Sequence, residues 1–165
     1  MRRRYGARMG ELRLRTERHE PGDRETVHTI LADLPAWFGR PEATAGYVDA
    51  ADRLPADVAV APDGEAVGVL LVEQHFPETA ELHLMAVKAA WHRRGVGRAL
   101  LAAVERDLVT AGTRLLTVKT LGPSDPDEGY RRTRLFYEAQ GFLRLEELMD
   151  LWPGTACLVM AKPLA

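Results

Sequence analysis

The chain has 165 residues, a formal net charge of −2 from 22 Lys and Arg against 24 Asp and Glu, and one cysteine, Cys157. This is the length of one domain, large enough to bury a core without disulfides or a structural metal. A single cysteine excludes an internal disulfide and a cysteine-based zinc cluster, and it fits the reducing cytoplasm. No apolar run approaches the roughly 20 residues of a membrane helix. The near-neutral charge gives no support for a nucleic-acid partner.

The first ten residues differ in composition from the rest. Four arginines fall within the first eight positions, without the apolar stretch of a secretory signal. We therefore expect residues 1–10 to form a flexible basic head and residues 11–165 to form one domain in the cytoplasm.

The first third of the chain predicts one strand and two helices. Residues 11–20 alternate leucine with charge, as a short strand does. Asp23 then stands at the N-cap of a helix whose apolar residues recur at i, i+3, i+4 and i+7, and Pro35 ends it. A second helix over about 41–53 begins with Pro41.

The middle of the chain predicts three strands in succession. The segments DVAVA, EAVGVLLVEQ and AELHLMAV are separated by a turn at Pro62-Asp63-Gly64 and a break near Pro77. Short turns between such strands indicate an antiparallel meander.

The last third alternates helices and strands. A helix closed by Gly112 is followed by a strand over Leu115–Thr120, a helix over about Arg131–Gln140 closed by Gly141, and two final strands. The order β-α-α-β-β-β-α-β-α-β-β predicts an α+β fold, a mixed α/β sandwich with a mostly antiparallel twisted sheet.

A glycine-containing turn joins the third meander strand to its helix. Exposed amides at a helix N-terminus attract phosphate, and glycine lets backbone approach an anion closely. Three arginines add positive charge, although the spacing matches neither a dinucleotide nor a nucleoside-triphosphate motif. The turn consists of His92, Arg93, Arg94, Gly95, Val96, Gly97, Arg98 and Ala99.

The sequence resembles the GCN5-related N-acetyltransferase (GNAT) family. The resemblance rests on the strand AELHLMAV, the turn and helix RRGVGRALL, and RLFYEAQGF about 40 residues later, in the family's order. His92 departs from the Gln or Arg that usually begins the family's pyrophosphate loop, and Tyr130 replaces a frequent Asn.

The resemblance implies acetyl-CoA as co-substrate. The amides of Arg94 through Ala99 would hold its pyrophosphate, with His92 and Arg93 beside them. The backbone of Met85, Ala86 and Val87 would pair with the pantetheine arm, and the thioester would lie where this strand and Leu115–Thr120 splay apart.

Acetyl transfer to an amine needs a base for the amine and a proton for the leaving thiolate. Tyr137 matches the family tyrosine near the CoA sulfur and is the candidate acid. Glu81 stands where a glutamate base occurs in some members, and His83, two residues on, projects from the same strand face. Glu73 and His75 are weaker candidates.

The family's acceptor pocket is formed by the first two helices, their connection and the last hairpin. Trp37, Phe38, Tyr47 and Trp152 lie in those places and are the candidate acceptor contacts. Acidic loops would favour a cationic amine if they converged at the mouth; their residues are Asp125, Asp127, Glu128, Glu146, Glu147 and Asp150.

The sequence therefore predicts direct N-acetyl transfer from acetyl-CoA to a primary amine, preferably of a small molecule. The five histidines show no metal-ligand spacing, and Cys157 is far in sequence from the motifs, so neither a metal nor an acetyl-cysteine is expected. A protein N-terminal or lysine acetyltransferase and a non-catalytic acyl-CoA sensor remain as alternatives. The family often dimerises, so a homodimer is also an open expectation.

Overall fold

The computed structural model describes residues 13–165, so the predicted basic head lies outside the described residues. The strands are β1 (Arg15–His19), β2 (Ala56–Val60), β3 (Ala66–Phe76), β4 (Thr79–Val87), β5 (Leu115–Leu121), β6 (Leu143–Trp152) and β7 (Thr155–Pro163). The helices are α1 (Arg24–Ala32), α2 (Pro41–Ala50), α3 (Val96–Thr110) and α4 (Glu128–Ala139).

Side-chain caps start two of the helices, α1 and α4. Asp23 accepts a hydrogen bond from the Thr26 amide at 3.3 Å and starts α1, as predicted. Helix α4 begins three residues earlier than predicted, because Asp127 accepts from the Tyr130 amide at 3.0 Å and caps it. Helix α2 ends at Ala50, before the predicted Arg53.

The strands form one sheet in the order β1-β2-β3-β4-β5-β7-β6. All neighbouring strands are antiparallel except β4 and β5, which confirms the predicted α+β fold. Helices α1 and α2 cover one face with a core that contains Ile30 and Leu31. Helices α3 and α4 cover the other with a core that contains Leu100 and Tyr137.

Strands β4 and β5 part halfway along their length. Their ladder runs from the pair Thr79–Leu115 to the pair Leu82–Val118. Beyond it, β4 continues to Val87 and β5 to Leu121 without pairing to each other. The two strands therefore open a gap in the middle of the sheet.

A bulge in β4 lies at the start of this gap. Leu82 is opposite Val72 and Leu84 is opposite Leu71, so His83 is an extra residue in β4. Leu82 packs into the core under α3, whereas Leu84 packs into the core under α1 and α2. The bulge thus reverses which side chains of β4 face which side of the sheet.

Candidate active site

The turn before α3 has the backbone geometry of an anion cradle. Gly95 is the N-cap of α3 with φ +79°, and Arg93 has φ +60°. Within residues 13–165, no side chain accepts a hydrogen bond at this helix end. The amides of the first turn of α3 lack intrahelical acceptors, so they can donate to a phosphate.

Two glycines fix the position of α3. A Cβ on Gly68 would lie 2.8 Å from Val96 Cγ1, and a Cβ on Gly97 would lie 3.3 Å from Phe136 Cζ. Gly68 therefore lets α3 pack closely on β3. The missing side chain of Gly97 makes room for Phe136 of α4.

The turn is tied to β4 and to the α1–α2 connection. His92 Nε2 donates to the carbonyl oxygen of Val87 at 2.6 Å. The His92 ring also meets Trp37 edge-on, with centroids 5.4 Å apart. Tyr130 of α4 donates from its hydroxyl to the Trp37 carbonyl at 2.9 Å. Trp37 thus joins the turn to the start of α4.

Tyr137 lies on α4 with its ring packed edge-to-face against Phe136 and Phe142. Only 4% of the residue is exposed. The Tyr137 hydroxyl makes no hydrogen bond to the described residues. Because every fully buried side-chain oxygen among these residues has a hydrogen-bond partner, the Tyr137 hydroxyl oxygen is not fully buried. At least part of the exposed surface therefore belongs to the hydroxyl oxygen. Burial raises the pKa of this phenol, with a further increase from the nearby Tyr47, so it stays protonated.

A pocket of about 290 Å³ opens on the α2 side of the sheet at the gap. A larger groove of about 650 Å³ beside α3 has no lining residue from β4 or β5. The smaller pocket is therefore the candidate acceptor site. Its lining residues are Tyr47, Glu81, Leu82, His83, Lys119, Leu151 and Trp152.

The pocket contains some of the predicted site residues and not others. Glu81, His83, Tyr47 and Trp152 line it together. Phe38 does not line it but packs edge-on against Tyr47 with centroids 5.8 Å apart.

Glu81 is held by two hydrogen-bonding groups. Lys119 Nζ lies 2.9 Å and His75 Nε2 lies 3.1 Å from Glu81 Oε2. Burial opposes ionisation of Glu81, but these two contacts outweigh it and lower the pKa of the carboxyl group. A carboxylate with a lowered pKa is a weaker proton acceptor.

His83 differs from Glu81 in that its lowered pKa leaves it uncharged. It packs edge-on against Tyr47, with centroids 5.6 Å apart, and its Nδ1 is 3.6 Å from Glu73 Oε2. Burial lowers the pKa of His83, and the attraction of Glu73 and Glu81 only partly offsets that effect. The imidazole is therefore neutral at neutral pH and can accept a proton.

Two residues missed by the sequence interpretation shape the end of β5. Lys119 is the first residue of β5 beyond the ladder with β4. Arg134 of α4 is 6% exposed and donates from Nη1 to the carbonyl oxygens of Leu121 at 2.8 Å and Gly122 at 3.3 Å. The sequence did contain a sign that Arg134 is buried. It precedes the buried Tyr137 by three residues, so both side chains lie on the same face of α4.

Cys157 is fully buried on β7, opposite Leu121. Although far from the motifs in sequence, it lies near enough to Lys119 and Glu81 to feel their charges. Burial raises the pKa of its thiol, and Lys119 only partly opposes this, so the reactive thiolate is disfavoured.

Three of the six predicted acidic loop residues, Asp125, Asp127 and Glu147, accept hydrogen bonds from backbone amides. Asp125 accepts from the Asp127 amide at 3.0 Å, and Glu147 accepts from the Ser124 amide at 2.9 Å. None of the six predicted acidic residues lines the pocket in the described structure. Across residues 13–165, no group of three His, Cys, Asp or Glu forms a metal site, and no helix is long and apolar enough to cross a membrane.

Solved structures share this fold. A protein assigned to the GNAT acetyltransferase family from Desulfovibrio desulfuricans superposes with a TM-score of 0.78 at 24% identity, covering 92% of this chain and 99% of its own. A ribosomal-protein alanine N-acetyltransferase from Escherichia coli gives 0.73 at 18% identity, covering 92% and 94%. A GNAT acetyltransferase from Elizabethkingia anophelis with acetyl-CoA bound gives 0.67 at 16% identity, covering 92% and 98%.

The sequence comparisons identify the family. No curated protein matches the sequence significantly. The family model described as an acetyltransferase (GNAT) domain matches residues 55–144, which is more than half of the chain and includes β4, the turn and α4. The chain therefore belongs to the GNAT family of N-acetyltransferases, whose members take the acetyl group from acetyl-CoA.

Proposed function

We propose that this N-acetyltransferase transfers an acetyl group directly from acetyl-CoA to a primary amine of a small molecule. The observation that carries the proposal is the pocket of about 290 Å³ at the gap between β4 and β5. This volume is at the lower end of the range for small-molecule sites, about 300 to 1,000 Å³. Tyr47 and Trp152 provide aromatic walls for the acceptor, and Phe38 packs edge-on against Tyr47, whereas Trp37 does not line the pocket.

The turn before α3 is the proposed site for the pyrophosphate of acetyl-CoA. The amides of Arg94 through Arg98 would donate to it, and the side chains of Arg93, Arg94 and Arg98 would add positive charge. The Ala99 amide, expected from the family resemblance to join them, instead donates to the Gly95 carbonyl oxygen at 3.0 Å. The free part of β4, Met85 to Val87, would pair with the pantetheine arm. His92 already donates to the Val87 carbonyl oxygen, so the arm would use the second lone pair of that oxygen.

Two side chains are proposed to move the protons. Tyr137 keeps its proton and has an accessible hydroxyl, so it can supply the proton that the departing thiolate takes. His83 is the proposed base, because it is neutral and lines the acceptor pocket. Glu81 is better suited to stabilise the imidazolium form of His83 than to accept the proton itself.

The proposal extends to the protein's setting. We infer that residues 11–165 act as one acetyltransferase domain in the cytoplasm, in line with the single cysteine. A homodimer is also proposed. Its support is the edge strand β6, whose Leu143, Leu145 and Met149 are each at least 60% exposed. Sedimentation velocity over a range of concentrations tests it.

The first experiment is calorimetry with acetyl-CoA, followed by thiol-release assays with a panel of small amines and short peptides. We expect acetyl-CoA to bind and one class of small amine to give rapid thiol release. Release with peptides alone would favour the protein-acetylating alternative. Binding without release across the panel would favour the non-catalytic sensor.

A further inference from the structure

Lys119 lies where an acceptor amine is expected. It is the first residue of β5 beyond the ladder with β4, and its side chain lines the pocket with the proposed base His83. Its Nζ is 2.9 Å from Glu81 Oε2. A primary amine of the chain itself therefore lies in the pocket proposed to bind primary amines.

The other two lysines of the chain are held elsewhere. Lys88 Nζ binds Glu65 at 2.7 Å, and Lys162 Nζ binds Glu105 at 2.6 Å. Neither is among the residues that line the pocket. Of the three lysine amines, Lys119 alone combines a place in the pocket with nearness to a proposed proton acceptor.

The ion pair with Glu81 does not fix Lys119 in place. The Lys119 side chain is 36% exposed, whereas that of Glu81 is 15% exposed, and His75 Nε2 also lies 3.1 Å from Glu81 Oε2, so the carboxylate keeps a partner when Lys119 turns away. The long stem of a lysine has many rotamers. Nζ can therefore leave Glu81 and turn toward the gap by rotation of the lysine side chain.

We propose that Lys119 accepts an acetyl group from acetyl-CoA when no acceptor occupies the pocket, an inference that rests on the proposed function. The ammonium first loses a proton to His83. Its lone pair attacks the thioester carbonyl, a C–N bond forms and the C–S bond breaks. The thiolate takes the proton of Tyr137, and the nitrogen gives up its second proton to water. Tyr137 then regains a proton from water, so the products are coenzyme A and a neutral amide on Nζ.

Acetylation of Lys119 blocks the acceptor pocket. The amide carries no charge and cannot form the ion pair with Glu81, and the added group occupies space in a pocket of only about 290 Å³. Self-acetylation thus inactivates the enzyme when acetyl-CoA is abundant and acceptor is scarce. Bound acceptor protects Lys119 by excluding its amine from the gap.

The test is peptide mapping by mass spectrometry of the full chain after incubation with acetyl-CoA and no amine. We expect acetyl-Lys119 to form at least about tenfold faster than acetyl-Lys88 or acetyl-Lys162, with a rate constant independent of protein concentration. Equal rates at the three lysines would show only background acylation by the thioester and would overturn the inference.

Two variants complete the experiment. Tyr137→Phe is expected to slow acetylation at Lys119 and leave that at Lys88 and Lys162 unchanged; equal Lys119 rates in wild type and variant would contradict enzyme-driven transfer. Lys119→Arg keeps a positive charge beside Glu81 and removes the amine. In this variant, preincubation with acetyl-CoA should no longer reduce the initial rate of thiol release with a small amine.

The same samples separate this inference from the proposed function. Thiol release with small amines while Lys119 stays unmodified would overturn self-acetylation and leave the proposed function standing. No thiol release with any amine and no acetyl-Lys119 would overturn both.

Discussion

The turn before α3 and the acceptor pocket are built in different ways. The turn is one continuous segment, residues 92–99, and its donors are backbone amides at a helix end. The pocket combines side chains from α2, β4, β5 and β6, which are up to about a hundred residues apart in the chain. Backbone donors depend little on side-chain identity, whereas the chemistry of the pocket depends on each side chain.

This difference predicts separable effects of substitution. Changes in the turn should alter the affinity for acetyl-CoA, and changes near the gap should alter the rate or its pH dependence at nearly constant affinity. A variant that changed the affinity for acetyl-CoA and the rate together would contradict this separation of roles.

The largest effect is expected from Gly97→Asp. The added carboxylate at the start of α3 repels the pyrophosphate, and its Cβ presses on Phe136 Cζ, 3.3 Å away. We expect acetyl-CoA affinity to fall at least about 100-fold, or ~2.7 kcal/mol, by calorimetry. Gly97→Ala is the matched control, because it adds the Cβ without the charge. Retained affinity in Gly97→Asp would refute the assignment of the turn.

Tyr137→Phe should lower kcat by about 100-fold, since general acid catalysis contributes about 10² to 10⁴. The ring contacts with Phe136 and Phe142 remain, so acetyl-CoA affinity and the free energy of unfolding should change little. Steady-state kinetics with calorimetry measures both. An unchanged kcat would remove the proposed acid role.

The pH dependence of kcat/KM should identify the base. Burial lowers the pKa of His83, so activity should fall only below about pH 6.5, where the imidazole gains a proton. His83→Gln should remove this acidic limb. Glu81→Gln removes a charge that favours the imidazolium, so it should move the limb to lower pH and retain it. Loss of the limb in Glu81→Gln alone would assign the base to Glu81.

Asp127→Ala should have the smallest effect, a loss of about 1 kcal/mol in the free energy of unfolding from the lost cap of α4. Asp127→Asn keeps an acceptor oxygen and serves as the control. Denaturant unfolding measures both. Equal stability of Asp127→Ala and the wild type would show that α4 is held in place by its packing alone.

The sequence alone predicted the order of elements, the mostly antiparallel sheet and the turn, because these depend on local patterns. Asp23 and Gly95 act within a few residues of their own positions. The family resemblance pointed to Glu81, His83, Tyr47 and Trp152, which the fold brings into one pocket.

The rest depends on contacts between distant segments. Lys119 lies between the buried Val118 and Thr120 on β5, as a solvent-facing strand residue does, so its pairing with Glu81 could not be read from the pattern. Arg134 resembles the exposed arginines around it, yet α4 buries it against the end of β5. The bulge at His83 depends on how β4 pairs with β3.

The bulge at His83 constrains the length of β4 as strictly as its composition. Because of the extra residue, the side chains after His83 alternate between the two faces of the sheet in the opposite order from those before it. Deleting one residue there would restore simple alternation and would turn either the Glu81 carboxylate or the Met85–Val87 segment toward the wrong side of the sheet. Insertions and deletions in β4 should therefore be far more damaging than conservative substitutions, a property that a deletion scan would reveal.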